Sequence, residues 1–151
     1  MVSIPKGELG EIGPKDFENA TPKIQKGDIV VVNTGWHKNY SGPMDDWDKA
    51  VYYSRKNPGI MKEGVDWLID KGIKVLMVDY MGVDHPKNTP LYESHSWPAH
   101  IGLLSANIPM VQNINGQVDQ VTGKRCTICI GLVNYVGGDS FPVRVLVTVE
   151  E

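Results

Sequence analysis

Residues 96–112 have the sequence SWPAHIGLLSANIPMVQ, and the rest of the chain can be placed around them. Ser96 is suited to cap a helix, and Pro98 comes early enough that its missing N–H costs little. Apolar residues follow at helical spacing, and Pro109 ends the pattern. This stretch therefore predicts a helix from about Pro98, followed by a short extended run that ends at the polar residue Gln112.

His100 lies in the first turn of this predicted helix, beside the positive end of the helix dipole. That location favours the neutral imidazole, which can bind a metal or carry a proton. The plainer alternative is a histidine that only hydrogen-bonds a backbone carbonyl near the helix start. The residue type and its place in the helix leave both interpretations open.

The remaining sequence alternates between strand and helix patterns. Two continuous apolar runs, residues 29–32 and 73–80, are typical of strands buried on both faces of a sheet. Helices are predicted at residues 14–20, 44–53 and 60–71, with Gly72 ending the last one, and further strands at 126–133 and 143–149. The order predicts an α/β fold that has a mixed β-sheet with flanking helices.

Composition limits the possible functions. The 151 residues predict a single domain, 1–151, that buries a sizeable core, with residues 1–13 as an arm or surface loop. The net charge of -3 argues against nucleic acid as a partner. There is no apolar run of membrane-spanning length and no signal-peptide pattern, so the sequence predicts a cytoplasmic protein without a membrane partner.

Several other polar or sulfur-containing residues are candidates for catalysis, metal binding or redox chemistry. Cys126 and Cys129 form a C-x-x-C motif, but residues three apart on a strand face opposite ways, so we prefer two unpaired thiols. Asp79, at the end of a predicted strand, is expected to orient a loop by hydrogen bonding. The adjacent Asp84 and His85, and likewise residues 93–95, are possible metal ligands, although adjacent residues do not by themselves fix a ligand geometry.

The pattern P-x-H-x-x-L-L at residues 98–104, with Gln112 twelve residues after the histidine, resembles the metal-dependent cyclase family. That family includes kynurenine formamidase-like and isatin hydrolase-like amidohydrolases. The likeness continues, in order along the chain, at residues 26–36, 57–60, 78–84 and 138–144. The family signature H-x-G-T-H-x-D-x-P-x-H, which supplies the primary metal ligands, is absent. The resemblance therefore concerns the C-terminal half of the family, and implies that part of its swivelling β/β/α fold.

The resemblance also implies roles for three residues. His100 becomes a catalytic residue and metal ligand, and Gln112 a neutral ligand where the family usually has glutamate. Trp36 would lie near the substrate pocket, where its ring could stack on a planar amide. The alternatives are a polar strand end for Gln112 and ordinary packing for Trp36.

A hydrolytic metal needs about three protein ligands and one open position. His100 and Gln112 are the two that the resemblance nominates, so the sequence favours one subunit of a split metal-dependent amidohydrolase. A partner chain bearing the histidine-rich motif would supply most ligands to manganese or zinc. The substrate would be a small molecule with an amide, cyclic amide or carbamate-like bond, which is a C–N bond other than a peptide bond. The alternative is a non-catalytic binding or assembly domain that has lost the metal site.

Overall fold

The computed structural model describes residues 1–40, 46–92, 96–133 and 135–149. The strands are β1 (Val2–Ser3), β2 (Glu11–Ile12), β3 (Ile29–Asn33), β4 (Gly59–Ile60), β5 (Val75–Val78), β6 (Met110–Val111), β7 (Thr127–Gly131) and β8 (Arg144–Thr148). The helices are α1 (Pro14–Asn19), α2 (Trp47–Arg55), α3 (Lys62–Lys71), α4 (Pro98–Ser105) and α5 (Val118–Val121). Short 3-10 turns lie at Trp36–Asn39, Pro86–Asn88 and Pro90–Tyr92.

A four-stranded parallel sheet forms the centre of the fold, in the order β1-β3-β5-β6. The central strands β3 and β5 are the two apolar runs that predicted buried strands, and both predictions are confirmed. Such strands need apolar residues on both faces because each face is covered. Val30 and Val32 face the layer formed by α1, α3 and α4, where they join a core with Phe17, Leu68 and Leu103.

The opposite face of the sheet is covered by the antiparallel hairpin of β7 and β8. Val31 and Met77 pack there, with Ile128, Ile130 and Val145 of the hairpin partly buried against them. The predicted α/β class is therefore confirmed, and its parallel and antiparallel pairs lie in separate sheets. Alternation within β7 places Cys129 on the exposed side, and both cysteines are free thiols.

Residues 1–13 are not the arm or surface loop that the sequence predicted. β1 pairs with β3, β2 pairs with β4, and Val2, Ile4 and Ile12 are buried in the core. Strands of two residues are too short to produce a periodic pattern, so composition alone misplaced them. The extent of the single domain stays a prediction.

The helix predictions held with shifted ends. α1 begins at Pro14 as expected, and Gly72 ends α3 with a φ of 73°, in the left-handed region that favours glycine. α3 begins at Lys62 because Ile60 is taken into β4, where it pairs with Ile12. The start predicted for the helix at 44–53 lies partly outside the described residues, and α2 follows a cap at Asp46. Within the described ranges, no helix is both long and apolar enough to cross a membrane.

Tyr80 gives a first testable prediction. Its ring is fully buried, and its hydroxyl has no hydrogen-bond partner among the described residues. Burial, with smaller contributions from Asp79 and Asp84, raises the pKa of Tyr80 well above its ordinary value. We expect Tyr80→Phe to stabilise the protein by about 1 kcal/mol, because it removes an unpaired buried polar group without opening a cavity.

The stability gained by Tyr80→Phe should increase above about pH 10, where Tyr80 ionises in the unfolded chain but not in the folded one. Urea unfolding at neutral and alkaline pH measures both effects. Tyr52→Phe, at a position with 41% exposure, is the control and should change little. A loss of stability in Tyr80→Phe would mean that the hydroxyl is satisfied after all.

Candidate functional site

Polar side chains collect where the parallel strands end. Asn33 is the last residue of β3, Asp79 follows β5, and Gln112 follows β6. The carboxyl ends of parallel strands meet at one edge of a sheet, and open α/β folds place their binding sites there. This carboxyl edge therefore holds the candidate site.

Asp84 organises the start of α4. Its side chain is only 1% exposed, Oδ1 accepts a hydrogen bond from the Ala99 amide at 2.7 Å, and Oδ2 accepts one from the His100 amide at 3.2 Å. A carboxylate at this point also interacts favourably with the helix dipole. Ser96 was predicted to cap this helix, and that prediction is wrong: the residue at the cap is Trp97, and Asp84 satisfies first-turn amides.

The same carboxylate fixes the imidazole of His100. His100 Nδ1 lies 2.5 Å from Asp84 Oδ2, so we infer that Nδ1 carries the proton and donates it to this bond. Nε2 is then an acceptor, and the Gln112 amide nitrogen lies 3.3 Å from it. The histidine side chain is 31% exposed. His100 and Gln112, predicted to belong to one site, thus lie side by side with the Nε2 lone pair between them.

A second histidine–carboxylate pair lies at the same edge. Asp79 is fully buried and bonds His37 Nδ1 at 2.9 Å; it also accepts the amides of Thr34 and Gly35. The prediction that Asp79 orients a loop by hydrogen bonding is confirmed. On its other side, His37 Nε2 lies 3.5 Å from a carboxylate oxygen of Asp119, which precedes the hairpin.

Asp119 is held in its charged form by its neighbours. The Asn33 side-chain amide donates to Asp119 Oδ1 at 2.8 Å, and Lys38 Nζ lies 3.1 Å from Oδ2. These contacts, with the Asn33 bond first, lower the pKa of the Asp119 carboxyl below its usual value. No sequence pattern indicates this contact, because Asp119 is remote from His37 along the chain.

Of the other candidate ligands, Asp84 and His85 lie within the described residues, and they bond different partners. His85 is fully buried: its Nε2 donates to the Leu9 carbonyl at 2.9 Å, and its Nδ1 accepts the Lys87 amide at 3.2 Å. Asp84 and His85 therefore serve different partners and do not act as a ligand pair. Glu93, Ser94 and His95 lie outside the described residues.

Trp36 is a core residue in this structure. It is 2% exposed, its Nε1 donates to the Tyr53 carbonyl at 3.0 Å, and its ring lies 5.4 Å from the ring of Tyr52. The packing alternative thus accounts for its contacts. Stacking of Trp36 on a substrate stays a prediction.

The metal ligands found among the described residues are too few for a hydrolytic metal. Over the described ranges, no group of three or more His, Cys, Asp or Glu side chains lies close enough to hold one. His100 Nε2 and the Gln112 amide could supply two metal ligands, whereas a hydrolytic metal needs about three protein ligands. The described residues therefore fit only part of a metal site.

Asp84→Asn tests how His100 is held. An amide cannot accept all three of the bonds that this carboxylate accepts, so we expect the Nδ1–H form of His100 to lose population and stability to fall by about 1–3 kcal/mol. Long-range proton–nitrogen NMR of the imidazole rings reports the tautomer, with His100→Gln used to assign the signals. Asp66→Asn, which removes an exposed partner of Lys62, is the control. Unchanged His100 signals in Asp84→Asn would contradict this account.

Comparison with known proteins identifies a family for the chain. The family described as putative cyclase matches residues 3–85, which is more than half of the 151 residues. The chain belongs to the putative cyclase family. The matched range includes Asp79 and Asp84 but ends before His100 and Gln112, so it does not itself assign those two residues. Among curated proteins, no match to this cyclase-family chain is found.

Solved structures share its fold. Isatin hydrolase A from Labrenzia aggregata, solved with benzyl benzoate, matches with a TM-score of 0.79 at 20% identity, over 99% of this chain and 60% of its own. A potential metal-dependent hydrolase with cyclase activity gives 0.70 at 20% identity, over 93% and 59%. A predicted metal-dependent hydrolase from Bacillus stearothermophilus gives 0.68 at 20% identity, over 91% and 56%. This cyclase-family chain therefore spans about 60% of the length of the structures that it resembles.

Proposed function

We propose that this chain is one part of a metal-dependent amidohydrolase whose active site is completed by a second polypeptide. The observation that carries the proposal is His100, held by a buried carboxylate and presenting Nε2 beside Gln112 at the carboxyl edge of the sheet. The second polypeptide would bear the histidine-rich metal motif. The substrate would be a small amide, cyclic amide or carbamate-like molecule, the metal manganese or zinc, and the compartment the cytoplasm.

His100 and Asp84 are the residues of this chain that would take part in the reaction. The metal, when bound, polarises a carbonyl and activates water. His100 either contributes Nε2 as a ligand or accepts a proton there, and both roles use the same lone pair. Asp84 would favour either role, because it orients the ring through Nδ1 and stabilises the charge that develops when Nε2 takes a proton.

The comparisons support this proposal in outline. The family and the shared fold agree with a hydrolase, and two of the three structures above are described as metal-dependent hydrolases. Those structures extend beyond the part that this chain matches, which agrees with the lack of three grouped metal ligands among the described residues. The substrate, the identity of the metal and the second polypeptide are our inference.

A second candidate function is a non-catalytic binding or assembly domain. One observation favours it: both ring nitrogens of His100 have a partner within this chain, Asp84 on one side and Gln112 on the other. A histidine satisfied in this way can remain for packing alone. The replacement of the family's usual glutamate by Gln112 agrees with this interpretation.

Purification from the native source, without a metal-binding tag, separates the two functions. Native mass and metal content are the measurements. We expect a complex with a second polypeptide and close to one or two equivalents of manganese or zinc per complex. A metal-free protein that contains only copies of this chain would overturn the shared active site and support the binding domain.

Gln112→Glu makes a more specific prediction. A carboxylate binds a divalent metal more strongly than an amide oxygen, so we expect the complex to bind Mn²⁺ about tenfold or more tightly. Titration calorimetry on the metal-depleted complex measures the affinity. Gln120→Glu adds the same charge at an exposed residue and should leave it unchanged. Equal affinities in Gln112→Glu and the unmodified complex would remove Gln112 from the proposed metal site.

A further inference from the structure

Helix α4 is apolar on both of its sides. Ala99 and Leu103 are fully buried against the core, and a Cβ added at Gly102 would come within 2.9 Å of Val65 on α3, so the inner side is closely packed. On the outer side, Ile101 is 58% exposed and Leu104 is 55% exposed. Helices that are apolar all round are normally buried all round. One side of α4 is therefore without the cover that its sequence favours.

The exposed pair lies beside the candidate site. Leu104 is four residues after His100, so the two share a side of the helix, and Ile101 is adjacent in sequence. His100 meets Gln112 at the end of β6, which is the last strand of the sheet and pairs only with β5 among the described residues. An edge strand of this kind can accept another strand.

We propose that the outer side of α4 and the free edge of β6 form the docking surface for the polypeptide that completes the metal site. This inference rests on the proposed function and adds the location of the partner. The occupant follows from two observations. The chain spans about 60% of the length of the solved structures with the same fold, so a partner polypeptide would supply the remaining part of that fold. The missing ligands also have to reach His100 Nε2, which is carried by α4 itself.

A competing surface is the hairpin, where Leu132 is 70% exposed and Val136 is fully exposed. The hairpin packs on the face of the sheet opposite to α4, and it contains neither His100 nor Gln112. A polypeptide docked there alone would cover apolar surface without approaching His100 from the side of α4. This difference allows the two surfaces to be tested against each other.

Site-specific photo-crosslinking in the native organism provides the test. The crosslinking residue p-benzoylphenylalanine replaces Ile101, Leu104 or, as the matched exposed control, Val136, and mass spectrometry identifies the captured peptides. We expect crosslinks from residues 101 and 104 to a polypeptide that contains the uncovered part of the cyclase fold, and none from 136. Leu104→Asp should reduce recovery of that polypeptide by about tenfold or more, and Val136→Asp should not.

The other outcomes separate the two levels of the proposal. Capture of the same polypeptide from residue 136, with none from 101 and 104, would overturn the docking surface and leave the shared active site standing. Crosslinks only to a second copy of this chain would overturn both. Circular dichroism of each variant establishes that a lost crosslink does not come from unfolding.

Discussion

Gly59→Ala is expected to destabilise the fold by about 4 kcal/mol or more, because the added methyl group has no space. A Cβ at Gly59 would lie 2.2 Å from His85 Cα and 2.3 Å from His85 N, well inside the 3.5–4 Å of an ordinary carbon contact. Both obstacles are backbone atoms, which no change of rotamer can move. Strand β4 would have to separate from the segment that contains Asp84 and His85.

Separation of β4 from this segment would also displace residues of the candidate site. Ile60 donates its amide to the Val83 carbonyl at 2.9 Å, so β4 holds the segment whose next residue, Asp84, orients His100. We expect Gly59→Ala to disturb the NMR signals of His100 in whatever fraction remains folded. Urea unfolding followed by circular dichroism measures the loss of stability.

Gly82→Ala is the matched control, since a Cβ there meets nothing within 4 Å and the residue lies on the same segment. Its stability should stay within about 0.5 kcal/mol of the unmodified protein. If Gly59→Ala unfolds at the same urea concentration as Gly82→Ala, the close approach of β4 to His85 is not present in solution.

The parts of the fold that the sequence predicted well are those with a local cause. The runs in β3 and β5 are long enough to show that both faces are buried, and Gly72 sits where the end of α3 needs a positive φ. β1, β2 and β4 have no such local cause. Each is two residues long and exists because of a partner that is distant in sequence.

The candidate site also contains contacts that the sequence predicts and contacts that it does not. The resemblance paired His100 with Gln112, and the structure brings them together. The sequence does not predict the acceptor for His100 Nδ1, because adjacency presents Asp84 as a possible metal ligand beside His85. Asp79, at the end of a buried strand, was predicted to orient a loop, and it does. Which loop residue it binds depended on tertiary contacts that spacing alone does not contain.

Asp79→Ala is the second change with a large expected effect. Asp79 is fully buried and accepts bonds from Thr34 N at 2.9 Å, Thr34 Oγ1 at 2.7 Å, Gly35 N at 2.9 Å and His37 Nδ1 at 2.9 Å. Removing the carboxylate would leave these donors buried without an acceptor. We expect a loss of about 3–5 kcal/mol, the usual cost of breaking a buried hydrogen-bonded pair from one side.

The size of the loss should depend on how many acceptors remain. Asp79→Asn keeps one oxygen and presents an NH₂ group in place of the other, so its loss should fall between those of the unmodified protein and Asp79→Ala. Asp119→Ala removes the carboxylate on the other side of His37, but that side chain is 48% exposed, and solvent screening should keep its cost below about 1 kcal/mol. Urea unfolding of the three variants gives the order directly. If Asp119→Ala costs as much as Asp79→Ala, the contact of His37 with Asp119 on α5 stabilises this edge of the sheet as much as the buried carboxylate does. The predicted order instead assigns most of the stabilisation of the loop at residues 34–37 to Asp79, the residue that follows β5.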